Sequence, residues 1–324
     1  MSKIQNGQFF TEFNVFEGNL VFQNFMNDNN LWNKKILEPF AGKNNLIKFL
    51  QESKHDLDFS SFDIEPQDVN VKKNDSINNW NYKNFDLVVT NPPYLSKSSS
   101  KRMKLSVDFQ NYDDLYKLSL DRCLRNVRFT IAIIPTTLIN SNRKNDQFLI
   151  KKLFAFQLLP NKNNFEDTEH PVALAYFDNK KNDDNFLLYE NNNLISDIKS
   201  LKNNLKNILK TQNSLKVYFN YIDGNLCVNT SDNTINKNNI RFFDKNWKQD
   251  TKIKPTDRHK VKMLVEDFSV DDFFIEKLNK KIKELRNSNC DYLWSPFKGV
   301  SKQNQFRRRL DFKTIKMIIN SIDL

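Results

Sequence analysis

Apolar positions in the first half of the chain follow two alternating rhythms. Short uninterrupted runs at 35–38, 59–64, 87–89 and 129–135 have the length and the β-branched or aromatic content of buried strands. Between them, apolar residues recur at helical spacing. They do so from Phe16 to Phe25 with Thr11 as a cap before them, over 44–51, over 113–124 with Leu115, Leu118 and Leu124 near one face, and over 143–155. A short strand near 156–159 and another at 172–177 complete the series. Strands alternating with helices predict a doubly wound α/β domain built on a mainly parallel sheet. The wholly polar stretch 178–185 predicts a boundary, giving domains 1–180 and 181–324. Beyond it the pattern turns to α+β. It predicts a Lys-rich helix at 194–209, a hairpin of 216–221 and 226–228 around Asp223-Gly224, a helix at 273–285 and a short helix ending near Ile322.

The strand at 87–89 runs directly into Thr90-Asn91-Pro92-Pro93-Tyr94. Two consecutive prolines forbid both helix and ladder pairing, and Pro92 biases Asn91 toward extended backbone. The expected result is a stiff loop at the carboxyl end of a parallel strand, where open α/β sheets bind ligands. It offers an amide, a proline carbonyl and an aromatic ring, a set suited to holding a planar base by its exocyclic amine. The first strand ends in a second loop, Glu38-Pro39-Phe40-Ala41-Gly42, with Asn44 just beyond it. Gly42 permits close backbone approach to a ligand, Asn44 tolerates a left-handed turn, and Glu38 can pair with a ligand ammonium. Asp63, at the tip of the next strand, is placed to accept from ribose hydroxyls. Taken singly, each strand-end acid is more often structural than functional.

Composition narrows the classes. Three cysteines and three histidines are scattered without metal-ligand spacing, so no metal site is expected. No run approaches a membrane span, and no charged-then-apolar leader opens the chain, which predicts a cytoplasmic protein. The net charge of +11 is uneven: residues 1–180 hold 23 basic against 21 acidic side chains, and 181–324 hold 27 against 18. A near-neutral first half and a basic second half suggest chemistry in one and polyanion contact in the other. Lys101, Arg102 and Lys104, just after the proline loop, and the run Arg307-Arg308-Arg309 are the expected polyanion contacts. A solvated basic face is the plain alternative for both.

Asn91-Pro92-Pro93-Tyr94 after an apolar strand, preceded by the Glu38 loop, resembles the adenine-N6 DNA methyltransferases of type II restriction-modification systems, in the gamma-type motif order. The resemblance covers roughly residues 7–178. It implies a Rossmann-like S-adenosylmethionine-dependent methyltransferase domain and, after it, a target-recognition domain. It further implies S-adenosyl-L-methionine as cofactor and base flipping from double-stranded DNA. Monomeric action near the bacterial nucleoid, functionally paired with a restriction endonuclease, is the matching expectation. Carried over by position, Thr11 in Gly7-Gln-Phe-Phe-Thr11 lies near the methionine end of the cofactor. Glu38, Pro39 and Gly42 form the first-strand loop, which departs from the family at Asn44, where a second glycine is common. Asp63 takes the ribose, Asp75 the adenine amine, and Ile64 and Ile77 flank the adenine ring. Asn91 also borders the cofactor; Asn91, Pro92 and Tyr94 act on the target base, and Phe165 stacks on it.

Three other readings compete. Enzymes that methylate a glutamine side-chain amide share the loop but carry a helical domain before these motifs, and motifs beginning at Gly7 leave no room for it here. RNA methyltransferases also combine such a loop with a basic appendage. A non-catalytic DNA-binding relative would keep the fold without transfer. Methyl transfer from labelled cofactor discriminates the catalytic readings from the last.

Overall fold

A computed structural model describes residues 11–160, 170–244, 258–300 and 305–324. The chain divides into two compact units, 1–198 and 199–324.

The first unit is built on one sheet of nine strands among the described residues. They are β1 (Ile36–Glu38), β2 (Phe59–Asp63), β3 (Val71–Lys73), β4 (Leu87–Thr90), β5 (Phe129–Pro135), β6 (Leu153–Leu158), β7 (Val172–Asp178), β8 (Leu187–Glu190) and β9 (Asn193–Asp197). Their order is β3-β2-β1-β4-β5-β7-β6-β8-β9. β1 to β5 pair in parallel, and β7 runs antiparallel between β5 and β6. The unit is therefore the predicted α/β fold with a mainly parallel central sheet. The strand order reverses at the β1–β4 pair, so the connections leaving those strands diverge and open a crevice at their carboxyl ends.

Helices α1 (Leu20–Asp28), α2 (Asn45–Ser53), α3 (Lys97–Arg102), α4 (Leu115–Asn126) and α5 (Lys144–Lys151) connect and cover the strands. β4 is buried on both faces, as its apolar run predicts. Leu87 and Val89 pack with Phe22, Phe25, Met26, Ile47 and Leu50, whereas Val88 joins Leu37, Cys123 and Val127 in a second cluster. Each such side chain contributes about 1.5–3 kcal/mol through burial. This fixes where β4 stops, and so where Asn91 begins.

Four sequence expectations are corrected. α1 is capped by Asn19, whose side chain accepts from the Phe22 amide, and Thr11 is not its cap. The serine-rich stretch after the proline loop, where the apolar pattern predicts no element, forms α3, capped by Ser96. The polar stretch 178–185 lies inside the first unit. β8 pairs with β6 and β9 with β8, so the division falls after Ile198 rather than at 180. The predicted hairpin does not form, because its two strands each pair with a third strand, Lys260–Val265, and not with each other.

In the second unit the elements are α6 (Ile198–Ile208), β10 (Val217–Phe219), β11 (Leu226–Asn229), β12 (Ser231–Asn233), β13 (Arg241–Asp244), β14 (Lys260–Val265), α7 (Asp272–Arg286), α8 (Asp291–Trp294), β15 (Phe297–Val300), β16 (Phe306–Arg309) and α9 (Phe312–Asn320). α6 starts at the last residue of the first unit. β10 and β11 each pair antiparallel with β14 in a sheet ordered β10-β14-β11-β13. Gly224 serves this close approach: a Cβ there would lie 2.4 Å from the Met263 carbonyl oxygen. A second sheet, β12-β16-β15, carries the arginine run. α7 is capped by Asp271 and buries Phe274, Leu278, Ile282 and Leu285 along one face.

Candidate functional site

At the carboxyl ends of β1, β2 and β4 lies a cavity of about 500 Å³. Thr11, Glu38, Gly42, Asp63, Ile64, Asp75, Ile77 and Asn91 all line it. Residues far apart in sequence thus meet where the strand order reverses. Its size suits a nucleoside-sized ligand.

Glu38 ends β1 and is 1% exposed. Its Oε1 accepts from the Thr90 hydroxyl at 2.7 Å and from the Phe40 amide at 3.0 Å. Burial pushes its pKa up to about 8, and the nearby Asp63 charge adds to the rise, while the two hydrogen bonds oppose it. Near neutral pH the acid is mostly protonated, and a cation entering the cavity would favour its ionised form.

The loop after Glu38 is held by Asp63. The Gly42 amide donates to Asp63 Oδ2 at 2.8 Å, and the Glu65 amide donates to Oδ1 at 2.8 Å. Gly42 has φ +51° and Asn44 φ +63°, so the position where a second glycine is common adopts the same left-handed backbone. Asn44 is buried, and its Oδ1 accepts from Ser61 at 2.7 Å. The departure at Asn44 therefore keeps the loop geometry and adds an anchor to β2.

Asp75 lies on another wall, in a turn where its Oδ1 accepts from the Ile77 and Asn78 amides and its Oδ2 from the Asn78 side chain. Ile64, 49% exposed, and Ile77 add two apolar surfaces to the lining. Pro39 is buried and is not among the lining residues; its carbonyl accepts from Ser76 at 2.7 Å and fixes the Asp75 turn instead.

Asn91 borders the cavity at the end of β4. Its Nδ2 lies 3.2 Å from Thr11 Oγ1, and its Oδ1 lies 2.7 Å from the Tyr94 hydroxyl. That hydroxyl is also 2.6 Å from the Ile133 carbonyl on β5, so one phenolic proton serves two acceptors. Tyr94 packs edge-on against Tyr116, with ring centroids 6.1 Å apart. Its hydroxyl is directed to the strand end and its ring is half-buried, so its clearest contribution is to hold the Asn91 amide. Pro92 is buried, and Pro93 rather than Pro92 lines the cavity. Phe165 and Gly7 to Phe10 lie outside the described residues.

Sequence reasoning missed the residues from the other side of the proline loop. Leu95, Leu105, Ser106, Val107 and Asp108 line the cavity, as does Leu115 at the start of α4. α3 forms before them, and the Leu105 amide bonds back to the Ser100 carbonyl at 3.0 Å. Lys101, Arg102 and Lys104 lie on and just after α3 and are not lining residues. In the second unit the run splits by strand alternation: Arg308 pairs with Asp291 at 3.0 Å, while Arg307 faces His259. Among the described residues no group of three or more His, Cys, Asp or Glu could hold a metal, and no helix is long and apolar enough to cross a membrane.

Comparison with solved structures gives distant likenesses. A class I S-adenosylmethionine-dependent methyltransferase from Listeria monocytogenes is 16% identical, with TM-score 0.42, over 56% of this chain and 65% of its own. The modification subunit of a type I restriction enzyme from Vibrio vulnificus YJ016 is 13% identical, with TM-score 0.43, over 57% and 47%. The type IIG restriction endonuclease BpuSI is 17% identical, with TM-score 0.41, over 56% and 27%. The chain thus spans less than two thirds of each. At such scores the fold rests on the strand order itself. A search of curated proteins finds no match. Residues 14–158 match the Eco57I restriction-modification methylase family. Glu38, Gly42, Asp63, Asp75 and Asn91 all fall inside that match, which carries every lining residue of the cavity except Thr11.

Proposed function

We propose that the chain transfers a methyl group from S-adenosyl-L-methionine to the N6 amine of an adenine flipped out of double-stranded DNA, as the modification enzyme of a restriction-modification system. The observation that carries this reading is Asn91: an amide at a strand end, on the wall of a cavity lined by Glu38, Asp63 and Asp75, and held by Thr11 and Tyr94. The match of residues 14–158 to restriction-modification methylases supports the same reading.

The cavity chemistry fits the cofactor. Glu38 would meet its ammonium, Asp63 its ribose hydroxyls and Asp75 its adenine amine, with Ile64 and Ile77 against the ring. When bound, the cofactor supplies an electrophilic methyl group on a sulfonium. The chain's own part is to make an adenine amine nucleophilic. That nitrogen's lone pair is delocalised into the ring, and acceptors aimed at its hydrogens localise the pair and stabilise the developing positive charge. The Asn91 side-chain oxygen and the Pro92 carbonyl are the proposed acceptors. Proline stiffness and the Tyr94 hydroxyl keep them aimed. Unstacking the base costs a few kcal/mol, which stacking on Phe165 would offset. No strong base is needed before transfer, because the nitrogen becomes acidic once it is quaternised.

Expression in a methylation-free host, with mapping of modified bases, tests the function. N6-methyladenine recurring in one sequence context is the expected result. Label appearing only in RNA would replace DNA by RNA as substrate, and transfer to neither would favour a binding protein.

Glu38 gives a second test. An ammonium beside it stabilises the carboxylate, so binding releases a proton at pH values below the raised pKa of about 8. Cofactor affinity should therefore rise from pH 6 to pH 8 by up to about tenfold per unit. Calorimetry in buffers of different ionisation enthalpy should register the proton released at pH 7. Glu38→Gln should bind more weakly at pH 8 and release none. Equal proton release in that variant would remove Glu38 from the ammonium site.

A further inference from the structure

We propose that Arg258, Arg307 and Arg309 form a phosphate-gripping face on the second unit, which holds the sugar-phosphate backbone of the DNA substrate. This rests on the proposed DNA substrate and gives the basic second unit a defined contact.

β16 is the central strand of its sheet, so successive arginines point to opposite faces. Phe306 and Arg308 share the covered face. Phe306 is 6% exposed, and Arg308 is committed internally. Its Nη1 donates to Asp291 Oδ2 at 3.0 Å, its Nε donates to the Ser295 carbonyl at 3.0 Å, and its guanidinium lies 4.8 Å from the Tyr292 ring centre. Arg308 is therefore a structural residue, in contrast to its two neighbours.

Arg307 and Arg309 occupy the other face. Neither they nor Arg258 pairs with a carboxylate among the described residues. Opposite them on β12 stand Asn233 and Ser231, which are small and uncharged. On the β15 side Arg307 pairs with Gly299, where an added Cβ would meet nothing within 4 Å. Among the described residues the face beside Arg307 is thus open at Gly299. Arg258 is tied into it through its backbone: Thr230 Oγ1 donates to the Arg258 carbonyl at 2.5 Å, and the Leu310 amide donates to the Thr230 carbonyl at 2.9 Å.

His259 lies beside the patch. Arg307 Nη1 lies 3.5 Å from His259 Nε2, and His259 Nδ1 lies 2.7 Å from Ser231 Oγ, so the ring bridges β16 and β12. Arg309 is partly desolvated, which lowers its pKa, and Arg258 and Arg307 lower it further by repulsion. Guanidiniums grouped with no carboxylate partner among the described residues are an electrostatic cost that an arriving anion relieves. Their planar forks match phosphate oxygens.

The test uses the full chain and a labelled duplex of about 30 base pairs, with binding read by fluorescence anisotropy between about 50 and 200 mM salt. Each phosphate neutralised contributes about 0.9 to the slope of log affinity against log salt. Arg307→Gln/Arg309→Gln should therefore flatten the slope by about 1.8. The wild-type chain would then lose about twelvefold more affinity than the variant over that range. The exposed Arg258→Gln, which risks no folding defect, should flatten it by about 0.9. Unchanged slopes in variants with wild-type melting curves overturn the proposal. Tighter, arginine-dependent binding to RNA of equal length overturns the assignment to DNA. Methyl transfer to DNA with slopes independent of these arginines would sink the face and leave the function standing. Arginine-dependent DNA binding without transfer would do the reverse.

Discussion

Replacing Asn91 with alanine is expected to lower kcat for methyl transfer by about 10²–10³-fold, the usual cost of removing one preorganised hydrogen-bonding group aimed at developing charge. The side chain ends a strand whose register is fixed by burial on both faces, and its amide is held between Thr11 and Tyr94. Truncation leaves that scaffold intact while removing one of the two proposed acceptors. Duplex affinity and cofactor affinity should therefore stay within a few-fold of the wild type, and the loss should fall on kcat. Single-turnover transfer of labelled methyl, alongside equilibrium binding of both ligands, separates these terms. Transfer at near wild-type rate would remove Asn91 from the chemistry. Asn91→Asp should recover little, because a carboxylate cannot donate to Thr11 as the amide does.

Much of this site was legible in the sequence, for identifiable reasons. Two prolines after a β-branched run leave the backbone few options, so the position of Asn91 came from local sterics alone. Glu38 and Asp63 were legible because parallel strands end where ligands bind, and each acid closes an apolar run. What stayed hidden depends on contacts distant in sequence. Tyr94 was expected to offer its ring, but its hydroxyl meets the Ile133 carbonyl on the next strand, a partner 39 residues away. Leu105 to Asp108 carry no motif and reach the cavity only because α3 folds back before them. β3 has one buried residue in three, and β9 has none, so neither edge strand shows a strong apolar rhythm. Missing β8 and β9 moved the expected boundary to 180. The three arginines read as one charge run, and only the pairing of β16 separates Arg308 from Arg307 and Arg309.

The largest stability effect is expected at Asp146, which lies outside the cavity but governs its support. Asp146 is 1% exposed and accepts from Lys117 Nζ at 2.5 Å and from Ser141 Oγ at 2.5 Å. Lys117, 7% exposed, has a second partner in Asp113 at 2.8 Å. Asp146→Ala would leave a buried ammonium with only the more exposed Asp113, and removing one member of a buried pair costs about 3–5 kcal/mol. The remaining partner places the expected loss near the lower end, about 3 kcal/mol. That is a large share of the roughly 5–15 kcal/mol typical of a folded domain. By contrast, Arg128→Ala breaks an ion pair to Asp178 at 3.6 Å in which the two side chains are 48% and 22% exposed, and should cost at most about 1 kcal/mol. Urea-dependent hydrogen exchange of the β5 amides would report both losses in the unit concerned. A loss below about 1 kcal/mol for Asp146→Ala would show the buried pair to be energetically idle. Lys117→Met/Asp146→Leu, which removes both charges, should recover most of the stability, because the cost lies in the stranded charge rather than in the absent bond. The same network reaches the chemistry: Lys117 lies 5.9 Å from the Tyr116 ring centre, and Tyr116 packs edge-on against Tyr94. Asp146→Ala should therefore slow methyl transfer even at temperatures where the chain stays folded. The double replacement should restore stability more fully than rate, since leucine and methionine refill the space without fixing the register of α4 against α5.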